Sequence, residues 1–357
     1  MSKENYNVIG IMSGTSLDGV DLAYVSLMYK EGNWSFKLHE VQTIPYDEAW
    51  INRLQAAIDF DDQALARLNK DYTSLLSGII NDFIISNKIV DIDVICSHGH
   101  TILHQPQNGF TLQIGNLQEL ASHVNSLVVC DFRVQDVVFG GQGAPLVPIG
   151  DRLLFSEYDF CLNLGGFSNI SFEVGKKRIA YDICPVNTVL NHYANILGHA
   201  YDDGGKIAAS GTVDSKLLGL LNNLDYYKED YPKSLGFEFV KEVVLPIMDN
   251  STISVKDKLC TFVVHSAMQI AKAVLKERQE GNLLITGGGV YNSFLIEKLE
   301  EFMPSINVTI PDNKTIEYKE ALIFALLGVL KLRGETNVLC SVTGAKNDHS
   351  SGVVFKT

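Results

Sequence analysis

The chain lacks both familiar glycine-loop signatures for phosphate: no G-x-x-x-x-G-K-[ST] occurs, and no G-x-G-x-x-G leads from a strand into a helix. It also lacks any run of 18 apolar residues free of charged or turn residues, and its start, Met1-Ser2-Lys3-Glu4-Asn5, is too polar for a signal peptide. Neither a membrane span nor export is therefore expected, and the cytoplasm is the expected compartment. No Lys/Arg-rich block is present and the formal net charge is −13, which argues against nucleic acid as a partner. The six cysteines (Cys96, Cys130, Cys161, Cys184, Cys260, Cys340) form no C-x-x-C, and most sit in apolar strand-like runs. They read as reduced thiols rather than a disulfide or zinc framework. Low-complexity segments and long charged linkers are missing too.

What is present is a chain of 357 residues with 46% hydrophobic content. That length exceeds what one hydrophobic core usually serves, so two domains are expected, 1–150 and 151–357. Strand-like and helix-like patterns alternate, the mark of an α/β protein. The spacing of Leu75, Leu76, Ile79, Ile80, Phe83 and Ile84 predicts a helix over 71–87. Further helices are expected over 117–124, capped by Asn116, and over 262–278 and 319–333. Strands are expected over 93–96, 126–130, 158–164, 170–174 and 282–286, with another ending at Asp182.

One turn stands out. A hydrophobic run empties into Gly10-Ile11-Met12-Ser13-Gly14-Thr15-Ser16-Leu17-Asp18-Gly19-Val20-Asp21, and a second apolar strand begins directly after it. Strand, donor-rich turn and returning strand make a hairpin that can cradle phosphate oxygens. Bare carboxylates would repel phosphate, so Asp18 and Asp21 argue for a metal ion between them and the anion. The bland alternative is a tight hairpin whose glycines serve the turn and whose hydroxyls face water. The opening pattern returns as Gly165-Gly166-Phe167-Ser168-Asn169, flanked by strands, so each half begins with a comparable hairpin. Gly287-Gly288-Gly289 then joins a strand to a helix, where glycine lets the backbone approach a ligand and a helix N-terminus favours an anion.

Other residues carry two readings. Asp182, expected at a strand end, is either a general base or the cap of the helix that follows. His98, His100 and His104 match no common zinc spacing and read as loop histidines that bond substrate or face solvent. Arg133 can hold a carboxylate in a bidentate pair or anchor a structural Asp. The stretch Phe139-Gly140-Gly141-Gln142-Gly143-Ala144-Pro145 reads as a loop, with a hinge for closure over ligand placed near Gly140 to Gly150.

Over nearly its whole length the chain resembles the anhydro-N-acetylmuramic acid kinase family of the sugar kinase, heat-shock chaperone and actin superfamily. The resemblance runs through Gly10 to Asp21, Ser97-His98-Gly99-His100-Thr101, Leu112 to Asn116, and Asp131-Phe132-Arg133. It continues in Gly140 to Pro148, Asn163 to Gly166, Ala208 to Gly211, Thr286 to Gly289, Glu320-Ala321-Leu322 and Val342 to Ala345. One stretch departs: Asp182-Ile183-Cys184-Pro185-Val186-Asn187 stands where the family has Asp-Thr-Gly-Pro-Gly-Asn, and Asn191 stands at a position usually acidic. The resemblance implies a two-domain actin-like ATPase (ribonuclease H-like) fold with an interdomain cleft. It implies ATP and Mg²⁺ as cofactors, with Gly14, Thr15, Ser16, Leu17, Asp18, Gly19, Val20, Asp21, Gly165, Gly166, Gly287, Gly288 and Gly289 around the nucleotide. Asp18 would hold the metal through water and Asp182 would be the catalytic base. Arg133, Glu320 and His98 would contact the substrate, 1,6-anhydro-N-acetylmuramic acid. A kinase for another anhydro sugar, or a non-catalytic ATP-binding relative of actin and the chaperones, are the alternatives. A homodimer is compatible with the sequence, which specifies no interface for it.

Overall fold

The computed structural model describes residues 3–357, and the chain folds as two compact units. One comprises Met1–Leu154 with Tyr318–Thr357, the other Phe155–Glu317.

The first unit is built on a seven-stranded sheet. Asn5–Ser13, buried on both faces from Val8 to Ile11, pairs antiparallel with Val20–Lys30, and Asn33–Ile44 continues the meander. On the other side Asn5–Ser13 pairs in parallel with Val94–Gln105, which pairs in parallel with Val128–Cys130. The strand Val353–Phe355 closes that edge, and Phe110–Ile114 folds back on Val94–Gln105. The second unit repeats the plan. Phe160–Leu164, Phe167–Val174 and Lys177–Pro185 form an antiparallel meander, while Gly281–Thr286 and then Ile306–Thr309 add in parallel on the far side of the first strand. The repetition read from two glycine turns thus extends to strand order in both sheets.

Helices cover the sheets where their apolar stripes match. Asp62–Ser86 lays Leu65, Leu68, Tyr72, Leu76, Ile80 and Phe83 against Ile9, Ile11, Leu22 and Ile95. It starts well before residue 71 because the Asp61 carboxylate caps it, accepting from the Ala64 N–H at 2.8 Å. Val255–Glu277 plays the same part in the second unit, with Phe262, Val263 and Ile270 against Phe172, Leu162 and Leu283. The short helix expected from Leu117 begins instead at Glu119, without a side-chain cap.

The helix Asn313–Arg333 explains why the domain division at 150/151 differs from the observed units. It kinks at Tyr318, and from there Ala321 to Leu327 are buried on all sides, as in a helix inside a core rather than on a surface. Glycines admit it. A Cβ on Gly10 would lie 2.0 Å from the Ala321 carbonyl oxygen, one on Gly328 2.0 Å from Cys96 Sγ, and one on Gly150 2.4 Å from Ile323 Cγ1. The C-terminal stretch therefore belongs to the first unit. Gly10→Ala is expected to lower stability by about 2–3 kcal/mol, read as a fall in the urea midpoint; an unchanged midpoint would mean the helix is not seated on that strand. Gly140 to Gly150, where a hinge is expected from the sequence, lies within the first unit, with Gly150 packed against Ile323. The chain leaves the unit after Leu154 and re-enters at Tyr318. All six cysteines are free thiols, five of them buried. No helix among the described residues is long and apolar enough to cross a membrane.

Candidate active site

In the first unit the hairpin turn lies between Ser13 and Val20. The Leu17 N–H closes a tight turn on the Gly14 carbonyl at 3.3 Å, and Leu17 takes a left-handed φ of 61°. Gly19 passes so close to the next strand that a Cβ there would lie 2.3 Å from the Ile44 carbonyl oxygen. This geometry presents Thr15, Ser16 and Asp18 to solvent, and the Ser16 hydroxyl donates to the Asp18 carboxylate at 2.8 Å. Asp21 is half-buried and accepts from the Thr43 hydroxyl at 2.6 Å. Val20 points into the core, so only its backbone is available to a ligand. Ser13 is not a turn donor either. Its buried hydroxyl lies 2.7 Å from Tyr46 Oη and 2.8 Å from His100 Nδ1, and Tyr46 bonds Tyr72 at 2.6 Å.

The histidines lie on the strand Val94–Gln105, not in a loop, because the chain bends through Gly99 at φ 74° and pairs on. His100 is buried, and desolvation lowers its pKa to about 4. His98 is buried and both ring nitrogens are used: Arg133 Nε donates to Nε2 at 2.8 Å, and Nδ1 lies 3.0 Å from the Gly99 carbonyl oxygen. This fixes a neutral, Nδ1-protonated ring, and burial, followed by the adjacent guanidinium, holds its pKa well below the usual range. No nitrogen of His98 is left for substrate; its effect is to aim Arg133.

Arg133 Nη1 donates to the Gly143 carbonyl at 2.6 Å. The loop carrying Gly143 is pinned by the fully buried Asp136, which accepts from Gly143 N–H at 2.7 Å and from the Thr343 hydroxyl at 2.8 Å. A Cβ on Gly141 would strike that carboxylate at 2.2 Å. Burial lowers Arg133 to about 10, opposed by Glu320 and Asp136, so it stays cationic at neutral pH. Glu320 is accessible to water, yet protein surrounds it densely enough that desolvation raises its pKa, with Arg133 the main opposing influence. Its neighbour Lys319 is tied to Asp151 by a buried ion pair of 2.7 Å, which fixes the helix turn from which Glu320 projects. Arg133 and Glu320 thus form one electrostatic pair.

In the second unit the turn is only Gly165-Gly166, with Phe167 already in the strand. The Ser168 hydroxyl is buried against the Cys184 carbonyl at 3.0 Å, so it is no phosphate donor. The two glycine carbonyls accept from N–H groups at the start of the helix Asn187–Ile196, that of Val186 just before it to Gly166 at 2.8 Å and that of Asn187 to Gly165 at 3.2 Å. At the other glycine run, Gly287 and Gly289 abut the end of Phe160–Leu164. Cβ atoms there would lie 2.6 Å from Asn163 Oδ1 and from Leu164 Cβ respectively. Gly288 has open space instead. The Asp203–Gly205 turn is packed with the segment that follows, since a Cβ on Gly205 would lie 2.0 Å from Asn292 Oδ1. Nothing short of the three-dimensional fold marks Gly205 as part of this glycine surface.

Asp182 is not at a strand end, because Lys177–Pro185 runs past it, and it is not the helix cap. Its carboxylate accepts from the Leu235 N–H at 2.9 Å, and its carbonyl accepts from the Tyr226 hydroxyl at 2.5 Å. Asn169 stands opposite on the neighbouring strand. Burial raises the Asp182 pKa, opposed by the Leu235 hydrogen bond. A partly buried carboxylate with one oxygen held and the other without a hydrogen-bond partner is suited to take a proton.

Comparison with known proteins bears on the whole chain. The family model for anhydro-N-acetylmuramic acid kinase matches residues 6–357. The chain is 33% identical to the anhydro-N-acetylmuramic acid kinase of Shewanella woodyi, covering 99% of each protein, and 32% identical to that of Francisella tularensis subsp. novicida, covering 97% of each. Among solved structures it is similar to component A of the Acidaminococcus fermentans (R)-2-hydroxyglutaryl-CoA dehydratase, at 12% identity, 93% and 100% coverage and a TM-score of 0.47. The chain is a phosphotransferase with a mixed α/β architecture of two sheets. It belongs to the anhydro-N-acetylmuramic acid kinase family.

Proposed function

We propose that the protein uses ATP and Mg²⁺ to convert 1,6-anhydro-N-acetylmuramic acid into N-acetylmuramic acid 6-phosphate, a step of cell-wall recycling that ATP supply places in the cytoplasm. The observation that carries this reading is Asp182, a carboxylate raised by burial and held at one oxygen, in a chain that matches the family end to end. The anhydro sugar has no free 6-hydroxyl. Asp182 takes a proton from the water that attacks C1, the C1–O6 bond breaks, and O6 accepts the γ-phosphoryl group as ADP leaves. Protein groups then have mainly to position reactants and neutralise charge.

The turn Gly14 to Asp21 in the first unit, and Gly165-Gly166 with Gly287 to Gly289 in the second, supply backbone to the nucleotide. Within the latter set, Gly288 has the open space for close approach, while Gly287 and Gly289 hold the backbone against the sheet. Arg133 and Glu320 contact the sugar. No group of three or more metal-binding side chains occurs among the described residues, which suits an ion that keeps most of its waters and is held by phosphate and one outer carboxylate. Asp18 is exposed in the turn and oriented by Ser16, so it fits that part. Mg²⁺ there would neutralise phosphate charge. Asp18→Ala is expected to raise the Mg²⁺ concentration for half-maximal rate roughly tenfold with the fold unchanged by circular dichroism. An unaltered Mg²⁺ titration would move the metal to another carboxylate.

The overall test is ATP consumption with the anhydro sugar, ordinary N-acetylmuramic acid and levoglucosan in parallel. Equal rates with ordinary N-acetylmuramic acid would remove the coupled ring opening, and preference for levoglucosan would change the substrate.

A further inference from the structure

On the second unit, on the side of the sheet covered by Val255–Glu277, lies a cavity of about 210 Å³ that the catalytic reading does not use. Its walls include Tyr181 and Tyr231, whose rings stack 5.5 Å apart, and Lys233, Gln269, Lys272 and Lys276. Glu229, Asp230 and Lys228 also border it. Asp230 is engaged by Lys276, and Lys228 is turned to Asp225 at 2.6 Å. Lys272 has no hydrogen-bond or ion-pair partner among the described residues. Lys233 donates to the carbonyls of Tyr226 and Glu229, each at 3.0 Å, which leaves one of its three N–H groups. Burial pushes Lys233 downward, and Lys272 and Lys276 add to this against the pull of Glu229. Convergent ammonium groups in a chain of net charge −13 are an arrangement that an anion would relieve.

We infer that this cavity binds a small phosphate-bearing metabolite, its phosphate on Lys272 and Lys233 and its body against Tyr181, and that binding slows the enzyme. The volume is below the roughly 300–1,000 Å³ that drug-sized ligands fill, which suits a monosaccharide phosphate and is too small for a nucleoside triphosphate.

The route to the reaction rests on the role proposed for Asp182. Lys233 is the shared node. Its carbonyl accepts from the Asp182 N–H at 3.4 Å, and two residues on, Leu235 N–H holds the Asp182 carboxylate at 2.9 Å. Tyr226, whose carbonyl holds the Lys233 ammonium, donates its hydroxyl to the Asp182 carbonyl. An anion that draws Lys233 off those carbonyls loosens the segment that fixes the carboxylate, and coupling of this kind is reciprocal between the two sites.

The test uses the full chain with glucose 6-phosphate, inorganic phosphate and glucose as probes. Titration calorimetry gives binding, and kcat at saturating substrates gives the effect. One glucose 6-phosphate per chain is expected to bind to wild type and to Asp182→Asn, at least tenfold more weakly to Lys272→Ala, and with recovery in Lys272→Arg. Wild-type kcat should fall with glucose 6-phosphate, and that of Lys272→Ala should not. Weaker binding of inorganic phosphate supports the tyrosine contact, and equal binding assigns the site to free phosphate. Binding of glucose alone as tightly, equal binding by Lys272→Ala, or inhibition abolished by saturating substrate would each overturn the inference. Failure of the Asp182 reading shows separately, as retained turnover in Asp182→Asn, and leaves the binding arm unaffected.

Discussion

Asp182→Asn is expected to lose about 10²–10⁴-fold in kcat while ATP binding stays nearly intact, because a positioned general base contributes on that order. The substitution is nearly isosteric, and the amide oxygen can still accept from the Leu235 N–H that now holds the carboxylate at 2.9 Å. The segment after Tyr226 therefore stays in place, and what is removed is the capacity to take a proton. The pH profile carries the sign. Burial places the Asp182 pKa above that of an ordinary aspartate, so the base is ionised only above that raised value. The rate should fall as pH drops through it, on a limb displaced upward from the usual aspartate range, and the Asn variant should lack the limb. If the variant keeps more than about a tenth of wild-type kcat, Asp182 serves only to tie down the Leu235 segment.

The hairpins were legible because glycine turns interrupt apolar strand-like runs, and the first turn is richer in hydroxyl and carboxylate than a bare connection needs. Their repetition pointed to a hairpin opening each half; the matching strand order of the two sheets comes from the fold. The C-terminal stretch was not legible in the same way. Nothing in the local pattern of residues 319 to 333 says which sheet the helix joins; Gly328 within it allows a close approach, but the surfaces it meets, at Gly10, Cys96 and Gly150, are far away in sequence. His98 and His100 looked like loop residues because Gly99 interrupts the apolar run, whereas a glycine at positive φ lets the strand bend and continue. Asp182 could be singled out by residue type and surroundings. Its partners could not, since Tyr226, Lys233 and Leu235 arrive from a segment more than 40 residues downstream. Ser13 and Ser168 were misplaced for a common reason: a hydroxyl beside a glycine turn looks available, but both are consumed by buried polar groups.

Arg133→Lys is expected to raise KM for the anhydro sugar about 10- to 100-fold, the cost of a lost hydrogen bond to a charged group, with KM for ATP unchanged. The guanidinium is fixed at two points, Nε on His98 and Nη1 on the Gly143 carbonyl. Nη2 has no partner among the described residues, so a held, planar cation is left with N–H groups for a carboxylate. Lysine keeps the charge but has no planar fork. Its ammonium cannot keep the His98 and Gly143 contacts in that geometry and also present a paired donor to the lactyl carboxylate. Loss of charge is thereby separated from loss of shape. The decisive comparison is an anhydro sugar without the lactyl group. With such a substrate the wild type and Arg133→Lys should differ little, because the contact under test has nothing to bind. An equal loss with both sugars would make Arg133 an anchor for the loop around Gly143, which Asp136 already holds from the other side. His98→Phe offers a second check by a different route. It removes the acceptor for Nε without touching the guanidinium, so it should reproduce the KM effect in smaller measure and only for the carboxylate-bearing sugar.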